Sequence, residues 1–191
     1  MKKIVSLIIC STALLIFGSC EKLKDLATKD IVVENINFES DEIEVFPAPD
    51  GSQAGDFHEF LEKQTIDIDG FEGTAELKNY NSDHIKSVSC EGASLVVYSV
   101  SDKAGEVKEF KAVADAGGSS PLTLTIDSYQ LGTVYSDKSL EEYISKLVFN
   151  MLTQNTPEEL TLTGLTNLPE TEKLKLNFSI KKITVKIKIA S

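Results

Sequence analysis

The feature that most constrains the fold is a two-residue alternation of apolar and polar side chains over residues 173–190. Apolar residues occupy even positions up to Ile180 and odd positions from Ile183 onward. A period of two predicts a β-strand with one face toward a core. Because a shift of one residue turns every later side chain to the other face, we expect a β-bulge or a corner at Lys181-Lys182. The strand would pass from one sheet to another there. A tight hairpin is the alternative, which a Lys-Lys pair disfavours.

Shorter alternating runs recur through the chain from residue 31 onward. Clusters of Gly, Pro, Asn, Asp and Ser separate these runs, at residues 47–56, 69–73, 79–83, 101–106 and 115–121. Many short strands between such turns are typical of a β-sandwich or a β-barrel. The sequence therefore predicts a mainly β protein with antiparallel strands.

One segment, residues 139–154, has helical spacing instead. Ser139 and Glu142 match a capping box, and Thr156-Pro157 would end the helix. One broad apolar arc is predicted to be buried: Leu140, Tyr143, Ile144, Leu147, Val148, Met151 and Leu152. We expect this amphipathic helix to cover an end or an open edge of the sandwich.

Phe149 does not belong to that arc. At about 100° per residue it points away from the centre of the buried face. An exposed Phe on the back of a helix predicts a contact with a partner. The alternatives are coverage by a neighbouring loop, or a solitary apolar residue tolerated at the surface.

The first twenty residues have the pattern of an export signal that ends in a lipidated cysteine. Two lysines precede an uncharged apolar run over residues 4–17, which is too short to span a bilayer. The small residues Gly18 and Ser19 come directly before Cys20. We therefore expect cleavage after residue 19 and acylation of Cys20. The alternative is an ordinary secretory signal with a cysteine near its end.

This signal divides the chain into three parts. Residues 1–19 are predicted to be the signal peptide, and residues 20–30 the lipidated cysteine with a short charged tether. Residues 31–191 are predicted to form a single β-sandwich domain, since a chain of this length accommodates one core. The lipid on Cys20 makes the membrane the first expected partner.

Charge and cysteine content narrow the function further. The chain carries 30 acids, 19 lysines and no arginine, with a net charge of -11. Such a surface argues against nucleic acid and against anionic lipid headgroups as partners. After cleavage and acylation only Cys90 remains as a free thiol, so no disulfide can form within the chain. Cys90 is predicted to be a buried structural thiol.

No residue pattern indicates catalysis or a cofactor. His58 and His84 have no nucleophile signature nearby and are predicted to lie at strand starts. The chain has too few His and Cys for a transition-metal site, and we expect no cofactor and no enzymatic activity. Tyr129 and Tyr135 flank a short strand and form a weak candidate for a glycan-binding platform.

Calcium is the one ion for which the sequence offers a candidate site. Asp67, Asp69 and Glu72 surround a glycine turn, but they lack the further ligands of an EF-hand loop. The alternative interpretation is the solvent face of a strand that ends in a turn.

The residues Phe17-Gly18-Ser19-Cys20, the short tether and the acidic strand-rich body resemble small uncharacterised lipoproteins of the Bacteroidetes. Phe17 departs from the leucine usual in that motif. The resemblance implies an immunoglobulin-like sandwich anchored in the cell envelope. In such lipoproteins an aspartate after the cysteine holds some of them at the inner membrane. This chain has Glu21 there, so the resemblance also favours the outer membrane.

The sequence is compatible with two functions. The first is a non-enzymatic binding or assembly module whose partner is an envelope protein or a glycan. The alternative is a small glycan-active or hydrolytic envelope enzyme, whose carboxylates cannot be identified from the sequence.

Overall fold

A computed structural model describes residues 28–47, 56–71, 74, 77, 82–115, 120–154 and 156–188. The predicted signal segment and Cys20 lie outside these residues. The elements, in chain order, are β1 (Thr28–Glu39), β2 (Ile43–Glu44), β3 (His58–Ile66), β4 (Ile85–Ser99), β5 (Glu106–Asp115), β6 (Leu122–Gln130), α1 (Lys138–Gln154), β7 (Glu158–Thr166) and β8 (Lys173–Lys188). Strand β1 begins three residues inside the segment assigned to the tether.

The strands form two antiparallel sheets. In sheet A the long strand β8 is central, with β1 and β2 along one side and β4 along the other. Sheet B has the order β3-β7-β5-β6. The predicted fold class, a mainly antiparallel β-sandwich with one amphipathic helix, is confirmed.

Inward-facing side chains of both sheets and of α1 share one core. Its largest fully buried members include Phe60, Phe110, Phe178, Ile36, Ile43, Leu95, Leu140, Ile144, Leu147, Leu160 and Leu162. All seven residues of the predicted helical arc are buried. Burial of this apolar surface is the main stabilising contribution in a chain whose one described cysteine, Cys90, is a free thiol.

The chain crosses between the sheets just after β2. Ile43 pairs with Leu174 in sheet A, whereas Val45 forms a β-bridge with Phe60 in sheet B. The Phe46 N–H then donates to the carbonyl of Glu59 at 2.8 Å. This short segment therefore closes one side of the sandwich.

Strand β8 changes its buried face where the sequence predicts it. Burial follows even positions up to Ile180 and odd positions from Ile183, so the predicted change of buried face is confirmed. The predicted β-bulge is wrong, because the register with β1 and β4 does not shift at Lys181-Lys182. The predicted passage from one sheet to the other is wrong, because β8 continues in sheet A to Lys188.

The neighbouring strands explain why β8 stays in one sheet. Asn35 of β1 and Gly92 of β4 flank Lys181 and have left-handed φ values of 57° and 66°. Each neighbour changes its buried face at the same level as β8. Since all three strands bend together, their pairing continues in the same register on both sides of the bend.

The helix start differs from the predicted capping box. Asp137, directly before α1, accepts hydrogen bonds on Oδ1 from the Leu140 N–H and the Ser139 hydroxyl, both at 2.8 Å. Asp137 is therefore the N-cap. Ser139 lies inside the first turn, so its predicted box with Glu142 is wrong.

The bend in sheet A requires glycine at position 92. A Cβ there would lie 2.9 Å from the Lys181 Cβ, in addition to the cost of a left-handed φ. We expect Gly92→Ala to lower the free energy of unfolding by about 2 kcal/mol or more. Gly132→Ala is the matched control, since φ is 76° and nothing lies within 4 Å of the added Cβ. It should cost about 1 kcal/mol. Urea unfolding measures both, and equal losses would contradict the crowding at Lys181.

Candidate functional site

Helix α1 lies along the free edge of β4 and hydrogen-bonds to it. The Gly92 N–H donates to Glu141 Oε1 at 2.7 Å, and the Cys90 N–H donates to the Ser145 hydroxyl at 2.9 Å. These two side chains take the place of a neighbouring strand. An edge strand covered in this way cannot pair with another chain at those positions.

The other half of the β4 edge is covered by backbone. Leu95 and Tyr135 exchange hydrogen bonds at 2.8 and 2.9 Å, and the Gly132 N–H donates to the Val97 carbonyl at 2.8 Å. The Val97 N–H donates to the Tyr129 hydroxyl at 3.1 Å.

The two tyrosines are therefore structural. Tyr129 is buried, its hydroxyl donates to the Thr133 carbonyl, and its ring meets Tyr135 edge-on at 6.4 Å between centroids. The buried ring of Tyr129 cannot serve as a sugar-stacking platform, whereas Tyr135 is only partly buried, and glycan binding there stays a prediction.

A groove opens between α1 and the first half of β4. It encloses about 500 Å³ and is lined by Lys86, Ser87, Val88, Ser120, Leu122, Ser145, Lys146, Phe149 and Asn150. A second concavity of about 390 Å³ shares Val88, Ser145 and Lys146 with it and continues along the helix toward Lys138. We call the first of these the α1–β4 groove.

The apolar part of the groove consists of Phe149, Val88 and Leu122. All three are partly buried and pack against the edge of the core. Phe149 thus lies outside the buried arc, as the helical spacing predicts, and one side of it borders the groove. Whether it contacts a partner stays a prediction.

The groove also carries two lysines without counter-charges. Lys86 and Lys146 are exposed, and within the described part of the chain neither forms an ion pair. Lys173, by contrast, lies 2.9 Å from Glu42 and 3.0 Å from Glu44. Among the residues that the structure describes, no acidic side chain lines the α1–β4 groove itself, whereas Glu141 and Glu142 line the adjoining concavity.

The thiol of Cys90 is poorly suited to nucleophilic chemistry. Burial raises its pKa to about 12, and the charges of Glu141 and Glu91 add to the shift. A thiolate is therefore scarce at neutral pH. The structural role predicted for this buried cysteine agrees with this environment.

A buried carboxyl group lies at the start of β7, and no sequence pattern marks it. Glu158 is 1% exposed, and among the described residues neither its carboxyl oxygens nor the hydroxyl of buried Tyr143 has a hydrogen-bond partner. Burial and the charge of Asp115 raise the pKa of Glu158. Burial and the charge of Glu158 raise the pKa of Tyr143.

Replacement of this carboxyl group should change how stability depends on pH. A raised pKa means that the folded chain binds the proton more tightly, so stability falls as pH rises from about the ordinary value of 4.5 through the folded pKa. We expect Glu158→Gln to stabilise the chain by about 1 kcal/mol at pH 7, and to have little effect near pH 4.

Glu159→Gln is the control for this prediction. Glu159 is exposed and pairs with Lys63 at 3.0 Å, so its replacement should produce no such pH-dependent gain. Thermal unfolding from pH 4 to pH 8 compares the variants. A Glu158→Gln chain no more stable than wild type at pH 7 would contradict the cost assigned to the buried carboxylate.

The calcium site predicted at Asp67, Asp69 and Glu72 stays a prediction, because only its two aspartates lie in the described residues. Asp67 Oδ1 accepts the Asp69 N–H at 2.8 Å, which ties this carboxylate to the local turn, and Glu72 lies outside the described residues. His58 begins β3, with Nδ1 3.3 Å from the Phe46 carbonyl, and His84 directly precedes β4. Across the described ranges, no three His, Cys, Asp or Glu side chains are grouped to hold a metal.

Comparison with known proteins finds no matching family model, no matching curated protein and no matching solved structure. Among the helices in the described ranges, none is both long and apolar enough to cross a membrane.

Proposed function

We propose that the chain is a non-enzymatic binding or assembly module of the cell envelope, anchored in the outer membrane through lipid on Cys20. The α1–β4 groove is its binding surface. The observation that carries the proposal is the composition of this groove, which combines the half-buried Phe149 with two unpaired lysines. Aromatic side chains are enriched at protein interfaces, and the two exposed lysines beside Phe149 add charge that a partner can complement.

The ionisable groups support binding over catalysis. An active site shifts pKa values toward the working pH in accessible groups. In this chain the pKa of Cys90 moves away from neutrality, and the carboxyl of Glu158, whose pKa is raised, is buried in the core. Neither group lines the α1–β4 groove.

The anchor would place the groove near the membrane. Seven residues separate Cys20 from Thr28, and they reach about 27 Å at most. Thr28 pairs with Lys188 and Ile85 pairs with Ile187, so β1 and β4 begin at the same end of sheet A. The β4 part of the groove directly follows Ile85, and its partner is therefore a molecule of the membrane surface.

The anchor is tested by removing the thiol that carries it. We expect Cys20→Ser to move the full chain from the membrane to the soluble fraction of the envelope. Cys10→Ser, inside the leader, should leave it in the membrane. Fractionation and mass spectrometry of the mature N-terminus provide the readout. An unacylated wild-type chain, or retention of Cys20→Ser in the membrane, would refute lipid anchoring.

The assembly role is tested at Phe149. We expect the wild-type chain, solubilised from envelopes in mild detergent, to migrate as a complex on native gels. Phe149→Ala should migrate as a monomer that still unfolds cooperatively, with the modest loss of stability that follows removal of a partly buried ring. Val134→Ala is the control, since Val134 is an apolar residue 68% exposed and does not line the groove. A wild-type monomer, or loss of stability alone in Phe149→Ala, would count against the module.

A further inference from the structure

We infer that the α1–β4 groove binds an extended acidic peptide segment of a partner protein, which pairs with β4 at Val88. This inference rests on the proposed function and specifies its ligand. An apolar side chain of the segment packs on Phe149, and its carboxylates lie beside Lys86 and Lys146.

The contacts of the helix with β4 follow a regular series that ends at Val88. Glu141 accepts the Gly92 N–H, and Ser145, one helical turn later, accepts the Cys90 N–H two residues earlier on the strand. The next step of the same series places Phe149 beside Val88, and both residues line the groove. A phenyl ring has no carbonyl or hydroxyl oxygen to accept a hydrogen bond, so Phe149 cannot accept one from the Val88 N–H as Ser145 does from Cys90.

The backbone of Val88 therefore remains available. N–H groups alternate sides along a strand, so the Val88 N–H points to the same edge as that of Cys90, away from β8. Among the described residues, no hydrogen bond from another element reaches it. A strand edge that has no paired strand and borders an apolar pocket is the arrangement that recognises peptides by strand addition.

Charge selects the kind of peptide. The ionisable residues that line the α1–β4 groove are Lys86 and Lys146, both without ion pairs in the described chain. Carboxylates on a bound segment would supply the missing counter-charges. A lipid headgroup could also meet the lysines, but an acyl chain cannot supply the backbone donor and acceptor that the Val88 edge requires. A peptide of three to five residues, about 10–17 Å long, satisfies both.

The test uses a synthetic peptide, acetyl-Glu-Val-Leu-Val-Glu-amide, titrated into the ¹⁵N-labelled full chain in detergent. We expect saturable shifts centred on the Val88 amide resonance. Two control peptides separate the contributions: one has lysines in place of both glutamates, and the other carries an N-methyl group on the central leucine. Each should bind at least five-fold more weakly.

Variants of the protein give the second part of the test. Lys86→Glu should weaken binding at least five-fold without loss of stability, and Phe149→Ala should weaken it by a similar factor in a chain that is less stable but folded. Lys111→Glu is the control, because Lys111 is exposed on the outer face of sheet B and does not line the groove. Lys86→Glu keeps the test decisive if Phe149→Ala fails to fold.

Several outcomes would overturn the inference. The first is a Val88 resonance that does not move, and the second is equal binding of the lysine peptide or the N-methyl peptide. The third is a shift caused by phosphatidylglycerol vesicles but not by the peptide, which would assign the groove to lipid. If the peptide does not bind but Phe149→Ala still converts the native complex to a monomer, the proposed function stands and the peptide ligand is rejected. Failure of both experiments removes both proposals.

Discussion

The structure depends on satisfying the open edge of β4. This strand borders sheet A, and its outward N–H and C=O groups would otherwise be available to any passing strand. Side chains of α1 accept hydrogen bonds from Cys90 and Gly92. The backbone of Gly132 and Tyr135 and the hydroxyl of Tyr129 bond to Leu95 and Val97. The helix is therefore both a cover for the core and a substitute for a strand. Its position follows from the need to do both at once.

The bend through sheet A lies between the two covered halves of the β4 edge. The edge-facing N–H groups are those of even residues at Cys90 and Gly92, and those of odd residues at Leu95 and Val97. A left-handed residue at Gly92 produces this change of parity within one strand. The same distortion turns the buried face of β4 in step with β8. One glycine thus sets which side chains face the core and which partner covers each half of the edge.

Much of this architecture can be predicted from periodicity alone. The alternation in β8, its change of buried face at Lys181-Lys182 and the buried arc of α1 follow from patterns of period 2 and 3.6, which act within one element. The continuation of β8 in sheet A beyond Lys182 could not be predicted, because it depends on Asn35 and Gly92 in other strands. The pairing of Glu141 with Gly92 is equally non-local. The buried Glu158 resembles any acid at a strand start, and only the packing around it removes water.

The net charge of the chain does not describe the charge that a ligand meets inside the α1–β4 groove. A formal charge of -11 argues against anionic partners when it is treated as spread over the whole surface. At physiological ionic strength, however, charges act over about 8 Å, so a ligand in the groove senses mainly the nearest residues. The charged side chains that line the groove are Lys86 and Lys146, and two acids, Glu141 and Glu142, line the adjoining concavity. Repulsion by the distant acids would then favour a short acidic segment, held locally, over an extended anionic polymer that also meets the rest of the surface.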